Sequence, residues 1–218
     1  VYVGQYDKAW TKTYEKVYET NYQKDYQSVW VEQYAKIYEN ELKFLNEQKK
    51  HVRINETNYS TINNFILNEK ELLLLKEDLE TYIDDFFYNK LKYNKKAKPY
   101  ITQSWLNTTN KNQAHHQHEH PNSFLSGVYY VKANRDFDKI QFYNTNYKAL
   151  SPNINDFNIF SSNSWWFVTE TNNVFIFPSS TSHAVLTKND DNERISIAFN
   201  IFLKGELGIT KDLTYLKL

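Results

Sequence analysis

Residues 112–131 read NQAHHQHEHPNSFLSGVYYV and hold four of the six histidines of a 218-residue chain, at positions 115, 116, 118 and 120. The stretch changes character halfway. It is polar and imidazole-rich as far as His120, passes through the turn-forming Pro121-Asn122-Ser123, and continues as an apolar, aromatic run to Val131, the composition of a buried strand. Residues two apart on extended chain share a face, so His118 and His120 can reach one ion together, with His116 in the same phase. Glu119 is one residue out of phase and points away. Two ligands leave a site incomplete. The remaining histidine of the C-terminal half is His183, in FPSSTSHAV, where a loop enters a strand. Three neutral nitrogens on one side of an ion leave the other positions open, as a catalytic metal site requires.

Working outward, short runs rich in Tyr, Phe, Val and Ile recur after residue 100: YITQSWL, SGVYYVKA, KIQFYN, SWWFVTE, NVFIFPS, HAVLTK and RISIAFNIFL, each bounded by Asn, Asp, Ser, Pro or Gly. Such spacing predicts a barrel or a double-sheet jelly roll. Alternation in ERISIAFN puts Arg194, Ser196, Ala198 and Asn200 on one face and Ile195, Ile197 and Phe199 on the other. An arginine facing the inside of a small β-barrel is costly unless an anion meets it, and a bidentate carboxylate is its natural partner.

ITQSWLN, HEHPNSFLSGVYYV, FPSSTSHAV and ERISIAFN, in this order and at these separations, resemble the 2-oxoglutarate/iron(II)-dependent oxygenases common in marine bacteria and their phages, over about Thr57 to Asn200. The resemblance implies a double-stranded β-helix and an oxygenase activity with Fe(II) and 2-oxoglutarate as cofactors. It implies His118 and His120 as the paired metal ligands, His183 as the distal ligand and Arg194 as the clamp on the far carboxylate of 2-oxoglutarate. Ser196 is expected to assist that clamp, and Tyr130, Trp105 and Asn107 to line the pocket. Phe124, Tyr130, Trp165 and Phe175 are expected as apolar walls. The wider superfamily has a carboxylate where this chain has His120, so the site would be three-histidine and more positive. His115 and His116 are expected in an outer layer or at the surface, with the alternative that one of them is the first ligand.

Lys plus Arg equal Asp plus Glu, 26 of each, so no global charge draws nucleic acid or an anionic membrane. Cysteine is absent, which excludes a disulfide framework, a thiol nucleophile and Cys-ligated zinc. No phosphate-binding loop or nucleophile elbow occurs. The most apolar run, ELLLLKEDLETYIDDFF, is broken by acids and a lysine and does not approach the about 20 apolar residues of a membrane span. Nothing at the start reads as a signal peptide, so the chain is expected to be cytoplasmic or virion-associated. With no methionine and Val1 first, it reads as a processed product or part of a longer one.

Aromatics fall every fourth residue from Tyr2 through Trp10 and Trp30 to Tyr38. A four-residue step drifts about 40° per repeat on an α-helix, while a strand would keep the stripe on one face; the intervening Lys, Glu, Gln and Ala favour helix. Such repeats resemble those of phage virion structural proteins. They imply a stem over residues 1–50, a route to homo-oligomers, and an alternative function as a fibre protein whose β domain binds metal or ligand without turnover. A composition shift near NEQKKHVRINETNYS marks a boundary before a β domain over residues 51–218, which opens with a helix expected over about residues 69–92 and a basic link that Pro99 is expected to close. The expected class is α+β, a jelly-roll domain behind N-terminal helices.

Overall fold

The computed structural model describes residues 2–5, 38–144, 152–159 and 161–218. Twelve strands among them form two sheets. The large sheet takes β1 (Tyr2–Gln5), β2 (Val52–Asn55), β3 (Asn58–Thr61), β4 (Ala97–Thr109), β6 (Leu125–Lys132), β9 (Asn173–Pro178), β11 (Arg194–Leu207) and β12 (Leu216–Lys217). Its order is β1-β9-β6-β11-β4-β3-β2, with β12 pairing β11. The small sheet is β5 (His115–His118), β10 (His183–Val185), β7 (Lys139–Tyr143) and β8 (Ser164–Val168), in the order β5-β10-β7-β8. This is a mostly β, jelly-roll type of architecture.

Both faces of the large sheet are covered, which is why β6, β9 and the first half of β11 read as almost continuous apolar runs. On one face Leu106, Ile195, Ile197 and Phe199 pack against helix α1, residues 38–48, and helix α2 (Leu73–Asp84), through Leu45, Leu75, Leu79 and Ile83. On the other, Val128, Tyr130, Phe175 and Phe177 meet Ile140 and Phe142 of the small sheet. The odd–even split expected along β11 is realised, with Ile195, Ile197 and Phe199 in the helix-side core and Arg194, Ser196 and Ala198 on the inter-sheet face. Gly127 sits where β6 crosses Phe199, whose ring would lie 2.2 Å from any Cβ placed there.

Several boundaries differ from expectation. Residues 2–5 are a strand on the edge of the large sheet, paired with β9, where helix was expected; sheet pairing overrides a composition that favours helix. The repeat beyond them lies outside the described residues over 6–37, and with it most of the expected stem and its self-association; residues 38–48 near the end of that stem are helix. The stretch read as a boundary holds the β2–β3 hairpin, with Glu56 at φ +60° in its turn. Pro99 is inside β4, opposite Leu203, instead of ending a link. The expected helix is α2, entered through two short turns, Ile66–Asn68 and Lys70–Leu72, and continued by a wider helical turn over Asp85–Lys90. No helix of the described residues is long and apolar enough to cross a membrane.

Candidate metal and cosubstrate site

The small sheet brings the predicted histidines together. β5 and β10 are antiparallel neighbours with His118 opposite His183, so residues 65 apart in sequence have ring centroids 4.3 Å apart. His120 lies just past the end of β5 rather than on it. Its backbone N–H donates to Ser179 O at 3.0 Å, and this anchor keeps it in phase. Its ring is 5.0 Å from His118 and 5.2 Å from His183, and it stacks on Trp105 at 5.8 Å. The potential ligand atoms of His118, His120 and His183 all lie within 4.8 Å of one another.

Hydrogen bonds set which nitrogen each ring offers. His118 Nδ1 lies 2.8 Å from His116 O and His183 Nδ1 3.0 Å from Thr181 O. A carbonyl accepts only, so Nδ1 carries the proton and Nε2 is left as a free lone pair, the arrangement that orients metal-binding imidazoles. Burial, reinforced by the neighbouring rings, holds His183 down at about 3 and His120 at about 4, and burial also lowers His118. Near neutral pH the three are uncharged and able to ligate without first losing a proton.

Arg194, 4% exposed, lines the same cavity with Ser196, Tyr130, Trp105 and Asn107. Its Nη1 donates to Asp138 Oδ1 at 3.1 Å. Asp138 also accepts from Lys188 Nζ at 3.1 and 3.3 Å, and Lys188 in turn bonds Asp190. Two cations and two carboxylates thus form a buried network, and the charge of Arg194 is matched within the protein, a partner that the sequence reading missed. Asp138 lies 50 residues from Lys188 and 56 from Arg194, and in sequence it looks like any turn acid. Burial pushes the Tyr130 phenol well above its ordinary value, partly countered by Arg194, so its O–H stays a donor.

The expected walls need correction. Phe124 lies on the helix side, 6.2 Å from the Phe87 ring and 5.9 Å from Tyr93. Phe175 is sealed in the inter-sheet core, where it packs against Tyr130, and Trp165 stacks on Trp166 of β8. The apolar lining comes instead from Val128, Ile140, Phe177 and Val185, with Trp105. Glu119 is exposed, as its phase implied. His115 is half-buried, stacked on His118 at 4.5 Å, with its Nε2 2.9 Å from Asn55 Nδ2. His116 is outermost, 3.3 Å from Glu56.

Residues 103–200, just under half of the chain, match the model of a family described as "Putative 2OG-Fe(II) oxygenase". Among solved structures, the chain is similar to the non-heme alpha-ketoglutarate-dependent epimerase SnoN of nogalamycin biosynthesis, at 9% identity, 75% of this chain, 73% of that one and a TM-score of 0.52. It is also similar to a prolyl hydroxylase from Trichoplax adhaerens crystallised with a hypoxia-inducible-factor peptide, at 11% identity, 77% and 78% coverage and a TM-score of 0.50. At these identities the likeness is one of fold. No curated protein sequence matches the chain.

Proposed function

We propose that the chain is an Fe(II)- and 2-oxoglutarate-dependent oxygenase built on a double-stranded β-helix. The observation that carries the reading is the convergence of His118, His120 and His183 in the cavity that Arg194 lines. The donor set fits divalent iron, since imidazole is an established ligand for it and the Nδ1 contacts leave Nε2 of His118 and His183 free. It lacks the carboxylate of the usual facial triad, so the bound ion keeps its full double charge, which the dianionic cosubstrate would neutralise.

Bound iron with 2-oxoglutarate and O2 supplies oxidising power that converts a substrate C–H to C–OH, with release of succinate and CO2. The chain's own work is to hold and to shield. Arg194 offers five N–H donors, of which Asp138 engages one Nη1 contact; the guanidinium is placed to receive the far carboxylate. Ser196 and the protonated Tyr130 are placed to donate alongside. Trp105, Val128, Ile140 and Phe177 exclude water from the reacting end. The cavity is partly open and its inner space is about 50 Å3, room for about three to five waters at about 10–15 Å3 each. Trp105 lies against this space, so its fluorescence is expected to report the entry of 2-oxoglutarate, a signal that Trp105→Phe removes.

The test is succinate formation by purified protein with Fe(II), 2-oxoglutarate and O2. Arg194→Ala should raise the Kd for 2-oxoglutarate at least tenfold with iron binding unchanged; unchanged cosubstrate binding would remove Arg194 from the clamp. A second reading, a metal-binding domain without turnover, is favoured by the Arg194–Asp138 pair, which gives the arginine a structural task. That reading requires iron binding with no effect of 2-oxoglutarate.

A further inference from the structure

His115 and His116 are left over by the proposed function, yet they are not dispersed. His115, His116 and His118 form a second group whose potential ligand atoms all lie within 4.8 Å of one another. His118 belongs to both groups. The rings make a continuous path: His116 lies 5.2 Å from His115 and 5.1 Å from His118, His115 lies 4.5 Å from His118, and His118 lies 4.3 Å from His183. Exposure falls along it, from 44% for the His116 side chain to 6% for His183.

The outer end has the donors of a cation site. Glu56, at the tip of the β2–β3 hairpin, places Oε2 3.3 Å from His116 Nδ1. The hairpin is tied to the start of β5 by Thr57, whose Oγ1 donates to Ala114 O at 2.9 Å and accepts from Ala114 N at 2.8 Å. Asn55, the last residue of β2, holds His115 Nε2 through its amide at 2.9 Å. Turning that amide over would present Oδ1 instead and release the His115 lone pair. Behind it, Asn58 Nδ2 faces His115 Nδ1 at 3.4 Å while Asn58 Oδ1 is buried without a hydrogen-bond partner. A neutral imidazole cannot accept at both nitrogens. With the Asn58 amide reversed, Nδ1–H donates to Oδ1 and Nε2 of His115 keeps its lone pair beside Asn55. The two imidazoles, with a carboxylate against His116 and an amide against His115, offer mixed oxygen and nitrogen chemistry suited to a divalent first-row transition metal.

We propose that His115 and His116, backed by His118 and with the Glu56 carboxylate beside His116, form a second, outer site for a divalent transition-metal ion, which passes the ion through the shared His118 to the inner triad. This rests on the reading of the inner triad as a metal site. The outer site explains why the segment carries two histidines beyond the inner set, and why the more exposed of them faces a carboxylate.

Cobalt(II), whose visible spectrum reports its ligands, is a suitable probe of the full chain. Wild-type apo-protein should bind two Co(II) per chain, one more weakly. Glu56→Gln/His116→Ala, changed only at exposed positions, should bind one, with inner affinity within twofold of wild type but Fe(II) loading at limiting metal at least fivefold slower. A stoichiometry of one in the wild type, or an unchanged loading rate in the double variant, overturns the proposal. His183→Ala separates the two readings: it should lose the tighter ion and keep the weaker one. If His183→Ala keeps both ions, the inner assignment fails while the outer site stands.

Discussion

One cavity is bordered by two clusters of ionisable groups that meet burial in opposite ways. The histidines remain uncharged: burial lowers His115 and His183 to about 3 and His120 to about 4. Around Arg194 the charges are kept and paired, and although burial opposes ionisation of Asp190, hydrogen bonds from Lys188, Asn192 and Asn134 bring its carboxyl down to about 2. The difference teaches what each cluster is ready to accept. Neutral imidazoles with free lone pairs await a cation, whereas a balanced ionic network changes little on its own and yields to an anion only by rearranging around Arg194.

Acid should separate the two clusters most strongly. An unfolded histidine titrates near 6.5, while the folded His183 does so at about 3, so in that window the unfolded chain binds more protons. Stability of the apo-protein is therefore fully present above about pH 6.5 and drains as the pH falls toward about 3, by on the order of 1.4 kcal/mol per pKa unit for a fully buried ring. Thermal melts between pH 7 and 2 check this, and stability unchanged from pH 7 to 4 with a loss only at lower pH would assign it to carboxylates instead.

Asp138→Asn attacks the other cluster. It leaves Lys188, with no exposure, and Arg194, with 4%, sharing one carboxylate fewer, at a cost of about 3–5 kcal/mol in urea denaturation. Lys188→Met in that background rebalances the charges and should recover much of the loss; a purely additive pair would show that the network is not coupled. Phe124→Ala should cost a smaller amount, about 2 kcal/mol, and leave the Kd for 2-oxoglutarate unchanged, because the ring packs on Phe87 and Tyr93 rather than at the cavity. The smallest effect is expected at Glu119: Glu119→Gln should alter iron affinity less than twofold.

Local signals made much of this legible in the sequence. Alternation on β11 sorted Arg194 and Ser196 from Ile195 and Ile197, and the imidazole spacing singled out His118 and His120, because extended chain carries a period of two; His183 stood out as the remaining histidine of the C-terminal half. Asp138 was illegible for the opposite reason: its partners come from other elements, and no local pattern marks a turn carboxylate as buried. The apolar walls failed similarly. Phe124 follows directly on the histidine segment in sequence, but its place under Phe87 depends on how α2 and the turn after it cover the sheet. At the N-terminus, edge pairing with β9 decided the state of residues 2–5, and propensity carried no information about a partner 174 residues away, Ile176 opposite Tyr2.

Iron held by His118, His120 and His183 in the cavity that Arg194 lines would have a direct spectroscopic consequence. Anaerobic addition of 2-oxoglutarate to the Fe(II)-loaded protein tests it most directly. A broad visible absorption band is expected in the wild type, absent in His183→Ala and displaced to at least tenfold higher 2-oxoglutarate in Arg194→Ala. A band of undiminished strength in His183→Ala, or none in iron-loaded wild type, would contradict it.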